Sequence, residues 1–542
     1  MKAYRWWWAA IAYFVVTLIF YRHTIYSKFL FDWNTNMLHY MKDGWQGFSS
    51  CWDDKSMRWG YHLLNMVQWK LFGFDQRGWF ITSIAFHAAN ATLLSFLTYR
   101  TLAITSLHNR FLISISAGLL WLISPYHSEP VVWGAAILFL ALTFLVLAGL
   151  LFFIRYTETL QVQYALLVYV CYFLAMFTFE AFLPFVGLLT ILWIATTNTA
   201  INRLRLSGFL KSFFLPLILS IVVYFLINKW RIGSWVGHYG EASHLNTDLF
   251  LIVPNFSKYL LKLLFAPLYF SFSQRDAVYA FLESKTFVVT GTILYLVFFV
   301  FLIWRFFKGT VIHKIIIAWF FLFCAALVPV INLYFMYYKD IEQDRYVYFA
   351  SSFFYVSVVL ALFHFMKRWA IIPVALFLII SSLFLARNTN CWAKSGRIAQ
   401  SLLHDFRWPD ANRIFVLLTP DDYNGAYCMR SMPNSTLSEM LRVQRNIDVD
   451  DKLFEVYQTN LVSPSDSAVC EILDSSTLHL TLLTQGAWLW RNSFGATDID
   501  TGSFHAQINR SYPAFTVRFK NKQPGDVFIY SVNDHWKEIN GF

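Results

Sequence analysis

The chain has 542 residues, 57% of them hydrophobic, 20% aromatic and only 14% charged, with a formal net charge of +11. Soluble domains carry about 25% charged residues, so this composition excludes an ordinary water-soluble globule and points to a polytopic membrane protein. The positive charge forms no compact basic run with interleaved aromatics, so no nucleic-acid partner is expected.

The N-terminus begins with a basic flank, Lys2 and Arg5, and becomes apolar through Tyr21. No small-residue cleavage site follows, which predicts an uncleaved first span. A helix crossing the hydrocarbon core needs about 20 mostly apolar residues. On that criterion eleven runs are candidates: Trp6–Tyr21, Trp79–Thr98, Leu112–Pro125, Val131–Ile154, Tyr164–Thr178, Ala181–Ala195, Phe213–Ile227, Phe287–Trp304, Ile315–Asn332, Tyr346–Phe365 and Ile371–Ala386.

Charge orients these runs. With the N-terminus inside, the inner segments hold Lys2, Arg5, Arg100, Arg110, Arg155, Arg203, Arg205, Lys211, Arg305, Lys308, Lys314, Lys367 and Arg368, with Glu158 as their acid. Basic residues concentrate in cytoplasmic loops, so the expected topology is N-in and C-out. The outer side then receives a first loop at 22–78, Tyr126–Pro130, Phe179–Glu180, a loop from about 229 to 285, Tyr334–Arg345 and everything after Arg387.

The first outer loop carries Asp32, Asp53, Asp54, Arg58 and His62, and ends in Tyr61–Phe74. Leu63, Leu64, Val67 and Leu71 recur there at helical spacing, which predicts a helix lying in the interface. Leu249–Tyr269 is apolar but interrupted by Pro254 and Pro267, which predicts interfacial or re-entrant helices. His238 and His244 flank a glycine-bearing piece that reads as a flap or a plain loop.

The division expected is a transmembrane domain at 1–387 and a soluble α/β or β-rich domain at 388–542. Arg413–Leu418, Leu478–Leu483 and Phe515–Phe519 read as strands, with a turn at Thr419–Asp422. Cys171 and Cys324 sit in apolar runs as inert core residues, whereas Cys428 and Cys470 are candidates for a disulfide if their compartment is oxidising. No Cys-x-x-Cys or Cys/His zinc spacing occurs, and neither a metal nor a cofactor is expected.

The ionisable residues Asp32, Asp53, Asp54, Arg58, His62, His127, Glu129, Glu180, Asp344 and Arg345 all adjoin span ends on the outer side. Ionisable groups at membrane depth are costly and mark a site by default. Carboxylates beside arginine and histidine suit sugar transfer from a lipid-phosphate donor. A carboxylate takes the acceptor's proton, and cationic groups stabilise the departing phosphate. His87, within a span, reads as a packed histidine bonded to a neighbour.

The order of motifs is more specific. Phe31-Asp32, Arg58 through Asn65, Phe86-His87-Ala88-Ala89-Asn90, Ser124 through Trp133, Phe179-Glu180, Tyr259 through Pro267 and Asp344-Arg345-Tyr346-Val347-Tyr348 follow one another over residues 25–390. This layout resembles the GT-C class of polytopic glycosyltransferases, in particular the transmembrane O-mannosyltransferases with tetratricopeptide repeats and their bacterial relatives. Three features depart from that pattern: Trp33 stands where the family has a second Asp, the repeats are replaced by a different C-terminal domain, and an arginine is missing. That arginine usually follows the Trp of the second-loop motif and is absent after Trp133.

The resemblance implies a GT-C-like membrane domain of about eleven helices and a polyprenyl-phosphate-linked sugar as donor. The acceptor would be a glycan, glycolipid or protein, and the lipid bilayer the setting. It implies Asp32 as catalytic base, with Asp53 and Asp54 as alternatives. Arg58, His62, His127, Glu129, Arg345 and Tyr346 would contact the donor or its phosphate, and Glu180 and Asp344 would order the pocket. An integral protein of a bacterial inner membrane is the expected location. The alternative is a multi-pass transporter or flippase of a lipid-linked or small polar substrate. That class shows internal repeats and mid-span ionisable residues, whereas the charges here lie at span ends on one side. A ligase using a lipid-diphosphate glycan would need a larger cationic cluster.

Overall fold

The computed structural model describes residues 4–31, 33–50, 57–105, 107–197, 199, 201–235, 247–264, 270–333, 344–430, 436–463, 466–484, 487–491, 494–509 and 513–542. Asp32, Asp53, Asp54, His238 and His244 lie outside these residues.

The main helices, in chain order, are α1 Tyr4–Tyr21, α2 Trp33–Ser50, α3 Trp59–Phe72, α4 Gln76–Thr101, α5 Arg110–Leu122, α6 Ser128–Val132, α7 Ile137–Thr159, α8 Val162–Met176, α9 Phe185–Thr196 and α10 Leu215–Ile232. They continue as α11 Leu249–Leu263, α12 Phe272–Glu283, α13 Lys285–Lys308, α14 Val311–Leu327, α15 Arg345–Met366, α16 Ile371–Asp405 and α17 Thr436–Arg445. Among the described residues, seven helical stretches are long and apolar enough to cross a membrane, or eight if the bent pair Arg110–Leu122 and Pro125–Val132 is one span. Val162–Met176 and Glu180–Thr196 are apolar but shorter.

Polar side chains start several of these helices. The Asp75 carboxylate accepts from Arg77 N ahead of α4, and Ser284 Oγ accepts from Phe287 N ahead of α13. Each satisfies one of the backbone N–H groups that a helix start leaves without a partner. The helix predicted over Tyr61–Phe74 is present as α3. The polar segment Trp33–Ser50 is also helical, with a kink at Gly44 where φ is 55°. Its composition gave no apolar run to announce it. α11 keeps Pro254 inside and buries Val253, Asn255, Ser257, Tyr259 and both of its lysines, Lys258 and Lys262.

α16 runs unbroken for 35 residues, carrying the chain from an apolar segment into the C-terminal domain. That domain has two sheets. The first has the order β12-β11-β1-β3-β6-β7, and the second β4-β5-β10-β9-β8. β1 (Arg413–Tyr423) lies parallel to both β3 (Leu453–Leu461) and β11 (Asp526–Val532). In the second sheet β4 is Ala468–Asp474, β5 Thr477–Leu482, β8 Ile499–Asp500, β9 Phe504–Asn509 and β10 Ala514–Phe519, all antiparallel. β2 (Ala426–Tyr427), β6 (Leu489–Arg491), β7 (Phe494–Gly495) and β12 (His535–Glu538) complete the first.

Both faces of β1 are covered, which is why it reads as a continuous apolar run. Phe415 packs against Phe519 of the second sheet at 4.9 Å, while Ile414 and Val416 join the core shared with the helices. The expected turn at Thr419–Asp422 is instead the end of β1, with a register shift between Pro420 and Asp422. A bulge accommodates the proline, which cannot donate to the ladder. The chain reverses later, at Asn424 and Gly425, both with positive φ.

Cys428 and Cys470 do not pair; both thiols are free. Cys428 is buried beside α16, with Sγ 3.6 Å from the Ser395 carbonyl, and Cys470 lies on β4 of the second sheet.

Candidate functional site

Residues Lys28–Phe31 and Trp33 are clamped between the helices and the C-terminal domain. The Lys28 carbonyl accepts from Gly134 N at 3.1 Å, and the Leu30 carbonyl accepts from Trp133 Nε1 at 3.1 Å. A Cβ on Gly134 would stand 2.6 Å from the Lys28 carbonyl oxygen and 2.7 Å from the Trp33 ring, so only glycine permits this approach. Trp33 stacks on Phe29 at 3.6 Å and meets Trp79 edge-on. Phe31 adopts φ 54°, an unusual value for a bulky residue. The backbone on both sides of Asp32 is therefore fixed by packing.

Around Phe31 the structure gathers three residues distant in sequence. Glu129 is fully buried and forms an ion pair with Arg345. Arg345 N also donates to Glu129 Oε2 at 2.9 Å. From the C-terminal domain, the Tyr427 hydroxyl donates to Glu129 Oε1 at 2.6 Å and accepts from Arg345 Nη1 at 2.7 Å. The Arg345 guanidinium lies over the rings of Tyr346 and Trp133, at 4.6 and 5.4 Å. Phe31 touches Trp133 and Tyr427 at 5.6 and 5.2 Å.

Two further ion pairs flank this group. Arg58 donates to Glu180 from Nε at 3.1 Å to each oxygen, and from Nη2 at 2.8 Å, with both side chains nearly buried. Its guanidinium lies 4.9 Å from the Phe179 ring. Phe179 packs on Phe139 and Phe139 on Tyr346, which connects the Arg58 pair to Arg345 through aromatic rings. The Gly60 position sits hard against the chain here, its N–H donating to the Phe177 carbonyl at 2.6 Å. The third pair is Lys262 with Asp344, at 2.5 Å and buried. Buried ions persist only when paired and hydrogen-bonded, and each of these carboxylates holds a cation in a defined place.

His62 and His127 belong to other groups. His62 Nδ1 is 2.7 Å from the Tyr40 hydroxyl, between α3 and α2. His127 is fully buried, with Nε2 2.9 Å from Ser351 Oγ and its ring against His87, Trp121 and Tyr348. His87 has the packed role expected for it, bonded to the Tyr348 hydroxyl at 2.8 Å and the Leu122 carbonyl at 2.9 Å.

Sequence reasoning missed Tyr427, Lys262, Arg430 and Lys28. Arg430 pairs with buried Asp421 at 2.8 Å, and its guanidinium lies 4.6 Å from the Tyr427 ring and 5.9 Å from Phe31. Lys28, just beyond the first apolar stretch, is fully buried; its Nζ donates to Ser83 Oγ at 2.9 Å and to the Val131 carbonyl at 2.5 Å. Burial pushes its ammonium down to about 7. The Glu439 carboxyl on α17 accepts from Thr35 Oγ1 of α2 at 2.7 Å, and burial raises it above the usual range. Lys262 carried a signal, since a lysine inside an apolar segment asks for a partner. A lone tyrosine in a soluble domain carries none.

Among the described residues, no three His, Cys, Asp or Glu side chains are grouped to hold a metal ion. No protein-family model and no curated protein sequence matches this chain.

Proposed function

We propose that the chain is a membrane glycosyltransferase of the GT-C type, moving a sugar from a polyprenyl-phosphate donor to an acceptor hydroxyl. The observation that carries this reading is the convergence of Glu129, Arg345 and Tyr427 on Phe31, the neighbour of Asp32. Three carboxylate-held cations, Arg58, Lys262 and Arg345, adjoin the apolar helices, as the phosphate of a lipid-anchored donor would require.

In this reading the bent pair, the two shorter apolar helices and the two helices within Arg345–Asp405 each cross the membrane, giving eleven passes. The N-terminus is inside and the C-terminal domain outside, in a bacterial inner membrane. Asp32 takes the proton of the acceptor hydroxyl. The acceptor oxygen forms a bond to the anomeric carbon, the bond from that carbon to the phosphate oxygen breaks, and the electron pair leaves with the phosphate. Attack from the face opposite the phosphate inverts the anomeric centre. Arg345 and Lys262, with Arg58 behind the aromatic rings, stabilise the charge that develops on the leaving group. Because their carboxylates already fix them, little reorganisation accompanies the step. Asp53 and Asp54 are the alternative bases.

The test is mass spectrometry of lipid-linked glycans, surface polysaccharide and glycoproteins with and without the gene. The expected result is loss of one sugar from one glycan class and accumulation of its polyprenyl-phosphate donor. Unchanged glycans together with an altered distribution of a small polar solute would favour a transporter.

A further inference from the structure

Two adjoining open cavities flank α16: one of about 300 Å³ where it meets α17 and the corner between α3 and α4, and one of about 510 Å³ where it meets the turn between β11 and β12. Gln400 and His404 of α16 line both. Phe74 and Gln444 border the smaller cavity, and Ser401 the larger.

Of the charged groups in these walls, Arg445 and Asp405 are engaged, while Asp534 and His535 of the larger cavity lie 3.6 Å apart and both stay more than half exposed. Arg445 Nη1 donates to the carbonyls of Leu403 and Phe406 at 2.6 and 3.0 Å, and Asp405 Oδ2 accepts from Trp536 N at 3.0 Å. Two polar side chains are available: among the described residues no hydrogen bond takes up the Ser401 hydroxyl or the His404 ring. Phe74 adds a half-exposed aromatic ring at the rim. Imidazole, hydroxyl and exposed carboxylate groups around one apolar ring suit a ligand that is neutral, rich in hydroxyls and flat on one face, and the Asp534 carboxylate disfavours an anionic one.

The wall is also tied to the segment that carries Asp32. Gln400 Nε2 donates to Gln444 Oε1 at 3.0 Å. Gln444 Nε2 in turn donates to Asn34 Oδ1 at 2.9 Å and to the Phe29 carbonyl at 3.0 Å. Asn34 Nδ2 donates to the Phe31 carbonyl at 3.0 Å. A chain of amides thus runs from the groove to both sides of Asp32.

We propose that this groove is the acceptor site and that it takes the end of a neutral, hydroxyl-rich glycan; this rests on the glycosyltransferase reading. The test is direct binding to the full chain in lipid nanodiscs, read by saturation-transfer NMR without turnover. The probes are neutral glucose, mannose and N-acetylglucosamine oligomers, a sulfated oligosaccharide and a serine- and threonine-rich peptide. At least one neutral oligomer is expected to bind, and Ser401→Trp, which fills the groove, and His404→Ala, on an exposed side chain, are each expected to weaken it about tenfold. The proposal is overturned if no neutral oligomer binds, if binding is undiminished in both variants, or if the sulfated oligosaccharide or the peptide binds in preference. Sugar transfer with groove-independent binding would overturn the groove alone. Groove-dependent binding without transfer would support the glycan site and count against the glycosyltransferase.

Discussion

Tyr427 and Glu129 stand 298 residues apart and share a 2.6 Å hydrogen bond, donated by the tyrosine hydroxyl to a carboxylate with no exposed surface. The same hydroxyl accepts from Arg345, so the C-terminal domain completes a largely buried triad begun by two helical segments. Tyr427→Phe removes only the oxygen. A hydrogen bond to a charged group contributes about 1.5–3 kcal/mol, so the expected result is a lower Tm of the full chain and slower transfer. Thermal unfolding in nanodiscs and a rate assay check this. Unchanged Tm and rate would show that the triad is incidental.

Arg58→Met leaves the nearly buried Glu180 carboxylate without its fork of three hydrogen bonds. Breaking a buried pair from one side costs roughly 3 kcal/mol or more, whereas Arg58→Met with Glu180→Met removes both charges and is expected to be milder. Arg58→Lys keeps the charge but loses the bidentate geometry, and should fall between wild type and Arg58→Met. Denaturation midpoints of the four proteins supply the comparison. A double variant less stable than Arg58→Met would contradict a pairing role.

Glu439 gives a pH signature. Burial raises its carboxyl, the Thr35 hydrogen bond lowers it, and Asp450 adds a raising effect. Between the usual value of 4.5 and the raised one, the folded protein holds a proton that the unfolded chain has released. Folding takes up a proton in that window, so its contribution to stability rises as pH falls through the raised value toward 4.5. Glu439→Gln should flatten this part of the pH–Tm curve. An identical curve in the variant would sink the assignment.

Topology can be read with introduced thiols. Asp534 is exposed on the C-terminal domain, and Lys308 at the end of α13. Asp534→Cys should react with an impermeant maleimide in intact cells, and Lys308→Cys only after permeabilisation. In a Cys51→Ser background native labelling should be low at neutral pH, since Cys391 is buried, burial pushes the Cys470 thiol up to about 11 and it raises Cys428 further. The reverse labelling pattern would invert the orientation.

The apolar helices were legible because lipid demands long apolar runs, and the β1, β5 and β10 strands because period and β-branched content mark them. Glu129 and Arg345 were legible as charges at span ends. Their partner Tyr427 was not, because a contact 298 residues away leaves no local pattern. Pro420-Asp421-Asp422 has turn composition, yet Arg430 neutralises Asp421 and a bulge takes the proline, so tertiary contacts override the local preference. His127 and Glu129 belong to one motif, but residues two apart along a helical segment do not face the same side; His127 bonds Ser351 while Glu129 bonds Arg345.

The most direct test of the proposed chemistry is the transfer rate of purified Asp32→Asn with a polyprenyl-phosphate sugar, followed as release of polyprenyl phosphate. Asparagine keeps the shape and loses the base, so the rate should fall by roughly 10²–10⁴-fold while Tm and membrane insertion are retained. A wild-type rate in Asp32→Asn would contradict the account.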